Sequence, residues 1–157
     1  MGAIKLAEEV SGWLKPGQVI KVADDVNDCV KNADLVVTAT FTSTPVLKAS
    51  DDLKKVNCHI MAVGAPRPDW AETEPQIWKD SIVYVDSFAG ANAEAGDLIQ
   101  SECEVEDELG AFINQGDFSN IMNIHQINLQ RYYISRWRTS HNSMKNNMAT
   151  VHMQNYH

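Results

Sequence analysis

The chain has few cysteines, and their arrangement would hold neither a metal ion nor a disulfide framework. Cys29, Cys58 and Cys103 are odd in number, far apart and part of no CxxC pair, which is typical of reduced thiols inside a cell. The five histidines form no HExxH motif. We therefore expect no metal site, and we interpret the three thiols as structural or incidental.

Long apolar runs are also missing. No stretch approaches the roughly 18 consecutive apolar residues that a membrane-spanning helix needs, and the N-terminus lacks the charged-then-apolar pattern of a secretory signal peptide. The apolar fraction of 44% in 157 residues is nevertheless enough for the core of one domain. The sequence predicts a soluble, cytoplasmic protein with no membrane partner.

Negative charge is absent from the last quarter of the chain. Residues 118–157 contain four Lys or Arg and no Asp or Glu, whereas residues 1–117 carry all 21 acidic residues and nine of the 13 basic ones. The last quarter also lacks Gly and Pro. We therefore predict two parts, 1–117 and a divergent tail over 118–157 that is helical or disordered, with a helix over 121–137.

The tail contains one basic stretch, Arg131 to Arg138, in which Tyr132, Tyr133 and Trp137 are interleaved. Basic residues among aromatics can bind nucleic acid or an anionic membrane. Four basic residues are few for such a surface, and charged runs are usually just solvated. We expect no nucleic-acid partner; salt-dependent binding to nucleic acid would instead indicate a basic-tailed interaction protein.

The apolar pattern of residues 1–117 predicts alternating strands and helices, which favours a parallel sheet with right-handed crossovers. We predict helices over Ala3–Leu14, from Asp24 as the cap to Lys31, and over Glu72–Lys79, and strands over Val19–Val22, Asp34–Thr40, His59–Val63 and Ile82–Val85. Ligands bind outside the carboxyl ends of parallel strands. The residues directly after the strands are therefore the candidates for a site, among them Gly64, which we expect to let the backbone approach a flat ligand, and the helix-capping pair Asp86 and Ser87.

Four sequence blocks resemble the ornithine cyclodeaminase/mu-crystallin family, and its mu-crystallin branch most of all. The blocks are DLVVTATFTSTPVL (Asp34 to Leu47), HIMAVGAPRPDW (His59 to Trp70), VYVDS (Val83 to Ser87) and EAGDLI (Glu94 to Ile99), in the family's order and near its spacing. The resemblance covers about Ala3 to Gly116. It implies an α/β fold, a partial Rossmann-like doubly wound parallel sheet that lacks its first βα unit, followed by a C-terminal tail that does not match.

A glycine-rich phosphate-binding loop is missing as well. Dinucleotide-binding units begin with a strand and a GxGxxG turn that cradles the pyrophosphate, and a residue after the second strand selects NAD or NADP. The chain has no GxGxxG motif, and we expect it to start beyond that point, near the helix after the second strand. The residues of this chain therefore leave the choice between NAD and NADP open.

The resemblance implies an oxidoreductase that reduces a cyclic ketimine carboxylate by hydride transfer from NADPH, or from NADH, to give a cyclic amino acid such as pipecolate or proline. It also implies a homodimer in complete members, and weak or no activity for this chain alone. Two alternatives stay open, a non-catalytic binder of thyroid hormone and NADPH and an ornithine cyclodeaminase-like lyase. The lyase is disfavoured because Pro66 stands where that branch has an aspartate.

Four positions match ligand-contacting residues of the family. The resemblance assigns Thr40, Phe41 and Val63 to the cofactor and Glu94 to the substrate, and it leaves the catalytic residue unknown. By residue type alone, Thr40 equally suits a turn after a strand, Phe41 and Val63 suit a core, and Glu94 suits a solvated helix face.

Overall fold

In a computed structural model of the chain, the described residues are 2–50, 58–114, 133–137 and 148–151. The helices in these ranges are α1 (Gly2–Ser11), α2 (Val26–Val30), α3 (Pro75–Lys79), α4 (Phe88–Glu94), α5 (Gly96–Ser101) and α6 (Leu109–Asn114). The strands are β1 (Leu35–Thr38), β2 (His59–Ala62), β3 (Ser81–Val85), β4 (Asp107–Glu108), β5 (Tyr133–Trp137) and β6 (Met148–Val151). None of these helices is long and apolar enough to cross a membrane.

The strands form one mixed sheet in the order β4-β3-β5-β2-β1-β6. β1 runs parallel to β2, with Leu35 opposite His59 and Thr38 opposite Ala62, and it also runs parallel to β6. β3 runs parallel to β4, whereas β5 lies antiparallel between β2 and β3. The expectation of an α/β fold with parallel strand pairs is confirmed, in keeping with a partial Rossmann-like sheet. The antiparallel strand β5 comes from the tail, outside residues 1–117 for which the parallel sheet is predicted.

The helix predicted over 121–137 is wrong in its last five residues, which form β5. The backbone of β5 pairs with β2 on one side and β3 on the other, and paired neighbours override a local helical preference. The earlier part of that predicted helix lies outside the described residues. The boundary at residue 117 and the absence of a first βα unit stay predictions.

The strand predicted over Val19–Val22 is also wrong, since these residues are not in the sheet. The side of β1 away from β2 is occupied by β6. Val19 is 76% exposed, and a strand needs a neighbouring strand to pair its backbone N–H and C=O groups.

Two apolar clusters of fully buried side chains form the core. One lies around α2, β1, β2 and α3 and contains Val30, Ala33, Val36, Leu47, Cys58, Ile60 and Ile77. The other lies around β3 and the helices after it and contains Ala62, Trp78, Val83, Val85, Ala91, Ala95 and Leu98. These clusters fix β1, β2 and β3 as a rigid platform for the residues at the end of each strand.

Helix caps set where two of the helices begin. The Ser87 hydroxyl caps α4 by accepting the N–H of Gly90 at 3.4 Å, as the Asp86-Ser87 pair predicts. Asp25, and not Asp24, caps α2, where its carboxylate accepts the N–H of Asn27 at 2.7 Å and that of Asp28 at 3.4 Å. A single-residue shift of this kind is common, since neighbouring acids compete for the same cap.

Candidate functional site

The carboxyl ends of β1 and β2 lie side by side at one edge of the sheet. The two strands are parallel and in register up to Thr38 and Ala62, and the N–H of Val63 donates to the carbonyl of Thr38 at 2.9 Å. Thr40 and Gly64, just beyond the two strands, therefore emerge next to each other. This is the edge at which ligands of open α/β sheets bind.

A fully buried carboxylate joins the two strand ends. Glu72 is 0% exposed, and its Oε1 accepts both the backbone N–H and the hydroxyl of Thr40, the latter at 2.7 Å. Its Oε2 accepts the hydroxyl of Thr38 at 2.8 Å and the N–H groups of Val63 and Gly64 at 3.1 and 2.6 Å. Five donors thus surround one anion, which compensates the cost of burying it.

Gly64 is needed for the close approach of Glu72. A Cβ at this position would overlap the Glu72 carboxylate and lie 2.7 Å from the backbone nitrogen of Phe41. The expectation that this glycine admits a flat ligand therefore needs correcting, because in this structure a side chain of the protein itself fills the space. The Gly64 N–H is likewise donated to Glu72 rather than left for a ligand.

A second buried carboxylate holds the backbone around Glu72. Oδ1 of Asp97 on α5 accepts the N–H groups of Glu72 and Thr73 at 3.1 and 3.0 Å and the Thr73 hydroxyl at 2.9 Å. The indole N–H of Trp78 donates to the same hydroxyl oxygen. Burial raises the pKa of Asp97 to about 6, against the lowering effect of the bonds from Thr73. Its Oδ2 is buried and has no hydrogen-bond partner among the described residues.

The loop after β2 is packed tightly onto the start of α5. A Cβ on Gly96 would overlap the carbonyl oxygens of Arg67 and Trp70, and the Gly96 N–H donates to the carbonyl of Ala65 at 3.1 Å. The Gln100 amide donates to the carbonyls of Pro68 and Trp70 at 3.1 and 2.9 Å. Contacts with α5 therefore hold residues 65–70 in place.

An aromatic and cationic surface lies outside the buried carboxylates. Phe41 is 63% exposed and has a left-handed backbone with φ 48°, a conformation that is strained for this residue type. Its ring lies 4.4 Å from that of Trp70, edge to face at 71°, and the guanidinium carbon of Arg67 lies 5.0 Å from the Trp70 ring centroid. The edge thus presents apolar ring surface with one cation beside it.

Three of the four predicted site residues come together at this edge. Thr40 is 3% exposed and, like the half-buried Val63, donates to Glu72, while Phe41 projects outward. Glu94 lies elsewhere, half-buried at the last residue of α4 and two residues before the contact between Gly96 and the loop after β2. Their roles toward a ligand stay predictions.

Sequence reasoning missed Glu72 and Asp97. The helix predicted over Glu72–Lys79 begins only at Pro75, and the Glu72 carboxylate turns inward. The signal for Asp97 was present, since it lies inside the block EAGDLI. Within the described ranges, no group of three or more His, Cys, Asp or Glu could hold a metal ion.

Comparison with known proteins agrees with the four sequence blocks. The sequence model of the ornithine cyclodeaminase/mu-crystallin family matches residues 3–129, beyond the end at Gly116 that the blocks predict. The chain is 38% identical over 111 residues to ketimine reductase mu-crystallin from Macropus fuliginosus, covering 71% of this chain and 33% of that protein. It is 36% identical over 95 residues to ketimine reductase mu-crystallin from Rattus norvegicus, covering 60% of this chain and 30% of that protein.

A bacterial relative adds a second activity to the comparison. Delta(1)-pyrroline-2-carboxylate reductase from Bacillus cereus is 41% identical over 85 residues, covering 54% of this chain and 24% of that protein. The chain thus spans a third or less of the length of each of these relatives. With most of its residues matched by the family model, the chain belongs to the ornithine cyclodeaminase/mu-crystallin family.

Proposed function

We propose that this chain supplies the nicotinamide-facing edge of an NAD(P)H-dependent ketimine reductase, with NADPH as the cofactor and a cyclic imine carboxylate as the substrate. The proposal is supported by relatives named for the reduction of ketimines and of delta(1)-pyrroline-2-carboxylate. The observation that carries it is the joining of two parallel strand ends by Glu72, which brings Thr40, Phe41 and Val63 to one edge.

The groups at this edge fit a flat, uncharged ring. The exposed Phe41 ring and the half-buried Val63 offer apolar surface, and Trp70 packs edge to face against Phe41 and supports it. The hydroxyl proton of Thr40 is directed to Glu72, so only its oxygen lone pairs remain for a ligand. A ribose hydroxyl can donate to that oxygen, whereas a phosphate, which only accepts, has nothing to accept there.

The chemistry divides between the cofactor and the protein. Bound NADPH would supply the hydride for the carbon of the C=N bond, and the apolar edge would exclude water from that carbon. The imine nitrogen must stay protonated during the transfer, and a nearby carboxylate favours the charged form. We assign this role to Glu94, whose position at the end of α4 is anchored by the packing of Gly96 on the loop after β2.

The proposal is tested by titrating the chain with NADPH while following nicotinamide fluorescence, with NADH as a comparison. We expect saturable binding that Phe41→Ala weakens about tenfold through loss of ring contact. Ile4→Ala is the matched control, because Ile4 is similarly exposed at 58% but lies on α1. Absence of binding, or equal loss in both variants, would contradict the proposal.

Turnover distinguishes the reductase from the two other activities open to the family. Oxidation of NADPH on addition of a five- or six-membered cyclic imine carboxylate supports a reductase. Binding of thyroid hormone without turnover would instead favour a non-catalytic carrier. Formation of proline from ornithine would favour a lyase.

A further inference from the structure

We propose that Glu72 is a positioning residue for the strand-end edge, by which we mean the residues just beyond β1 and β2. The Glu72 carboxylate fixes the backbone of Thr40, Val63 and Gly64. Asp97, on α5, in turn fixes the backbone of Glu72. What this edge binds rests on the function proposed above. How the edge is held does not depend on that function.

The strand ends need such an acceptor. Beyond Thr38 and Ala62 the N–H of Val63 still donates to the Thr38 carbonyl, but the N–H groups of Thr40 and Gly64 have no such ladder partner, and buried N–H groups without partners destabilise a fold. Glu72 accepts the N–H groups of Thr40 and Gly64, shares that of Val63 with the Thr38 carbonyl, and accepts two hydroxyls, all from uncharged donors. A single side chain therefore replaces the missing ladder bonds on both strands.

The two carboxylate oxygens serve different strands. Oε1 accepts the N–H and the hydroxyl of Thr40, at the end of β1. Oε2 accepts the N–H groups of both Val63 and Gly64, at the end of β2, together with the Thr38 hydroxyl. A glutamine amide has one accepting oxygen and one donating nitrogen, so in either orientation it would set a donor against at least one backbone N–H.

The position of Glu72 is itself fixed by Asp97 on α5. Asp97 holds the N–H groups of Glu72 and Thr73 on one oxygen. Asp97 is 1% exposed and lies next to Gly96, where the loop after β2 packs without room for a Cβ. A continuous series of contacts thus runs from α5 through Asp97 and Glu72 to both strand ends.

The residue most sensitive to Glu72 is Phe41. Its strained backbone comes directly after Thr40, whose N–H and hydroxyl are both bonded to Oε1, and its nitrogen lies 2.7 Å from where a Gly64 Cβ would be. A strained conformation persists only when its surroundings hold it. Loss of the Oε1 contacts should therefore release Phe41 before it disturbs the rest of the sheet.

The first test uses the unsubstituted chain, so that it does not depend on a variant that folds. Isotope-labelled protein should show through-hydrogen-bond scalar couplings between the side-chain carboxylate carbon of Glu72 and the amide nitrogens of Thr40 and Gly64. Their amide protons should also resonate downfield, as expected for short bonds to a charged acceptor. Absence of these couplings would overturn the positioning role.

The second test compares Glu72→Gln with Glu74→Gln. The Glu74 carboxylate also accepts a backbone N–H, that of Ala49 at 2.8 Å, which belongs to neither strand end. In Glu72→Gln we expect the largest amide shifts at Thr40 and Phe41 and an NADPH dissociation constant raised about tenfold, as for loss of a residue that supports a binding group. In Glu74→Gln we expect the dissociation constant to change less than about twofold.

The outcomes separate the two proposals. Unchanged NADPH affinity in a folded Glu72→Gln chain would overturn the positioning role, and so would amide shifts spread equally over the molecule. If the unsubstituted chain does not bind NADPH, the proposed function fails for this chain. In that case the couplings from Glu72 still decide whether it positions the edge.

Discussion

The strand-end edge and the N-terminal segment 2–22 are built in opposite ways. At the edge, charged and polar side chains are inside, with Thr38, Glu72 and Asp97 at most 1% exposed. In the N-terminal segment, apolar side chains are outside, with Trp13 and Val19 both 76% exposed and no residue of α1 buried. Residue polarity alone therefore does not decide burial in this chain; the available partners do.

The difference lies in how far apart the contacting residues are in the sequence. Glu72 bonds to residues that are 34, 32, 9 and 8 positions away. The backbone bonds of Trp13 and Leu14 reach back only three positions, to Val10 and Ser11. Substitutions at the edge should therefore change contacts between distant parts of the chain, whereas those in segment 2–22 should change only contacts between neighbours in sequence.

The largest expected effect is that of Gly96→Ala. A Cβ there would overlap two carbonyl oxygens of the loop after β2, and backbone atoms cannot move aside cheaply, so we expect the free energy of unfolding to fall by about 3 kcal/mol or more. Gly90→Ala on α4 is the matched control, because its nearest neighbour is the Ser87 Cβ at 3.8 Å. Denaturant unfolding of both variants measures the difference, and equal stability would contradict tight packing at the edge.

The second-largest expected effect is a pH dependence of the free energy of unfolding that comes from Asp97. Burial raises the pKa of Asp97 from 3.8 to about 6, so the folded chain binds this proton more tightly than the unfolded chain. Its stabilising contribution is present below about pH 4 and is lost as the pH rises through about 6. Relative to Asp97→Asn, the unsubstituted chain should lose up to about 3 kcal/mol between these values. Parallel stability curves for the two chains would contradict this account.

A pair of valine truncations compares the two regions directly. Val36 is 0% exposed in β1 and Val19 is 76% exposed. Val36→Ala should lower the free energy of unfolding by about 2 kcal/mol, the sum of lost apolar burial and a residual cavity. Val19→Ala should change it by less than about 0.5 kcal/mol. Similar losses in thermal or denaturant unfolding would show that segment 2–22 is packed after all.

The smallest expected effect concerns the cap of α2. Asp25→Ala removes an acceptor for two N–H groups of the first turn and should cost about 1 kcal/mol. Asp24→Ala, one residue earlier, should cost less than about 0.5 kcal/mol. A larger loss of stability in Asp24→Ala than in Asp25→Ala, measured by denaturant unfolding, would show that Asp24 is the cap.

Local patterns predicted those parts of the fold that depend on neighbours in sequence. The helix at the N-terminus, the strands that begin near Leu35 and His59, and the Ser87 cap all result from spacing and residue type. The same spacing also predicted a strand over Val19–Val22, which is not in the sheet, where β6 lies beside β1. A strand depends on its pairing partner, which local spacing does not reveal.

The candidate site was predicted only in part, because local patterns do not reveal contacts between residues that are distant in sequence. Thr40 and Val63 lie at the ends of predicted strands, so their meeting at one edge is a consequence of parallel pairing. The inward turn of Glu72 was not predictable from its surroundings, since an acid shortly before Pro75 is typical of a helix start on the surface. The carboxylate is buried where it accepts the N–H groups of Thr40 and Gly64, at the ends of two strands that are distant in sequence.

We propose that the strand-end edge, and not the exposed N-terminal segment, faces a nicotinamide cofactor. This proposal is tested most directly by recording amide spectra of the isotope-labelled chain during a titration with NADPH. We predict saturable shifts concentrated at Thr40, Phe41 and Val63, with little change over residues 2–22. Shifts confined to residues 2–22, or no shifts at the strand ends, would contradict the account.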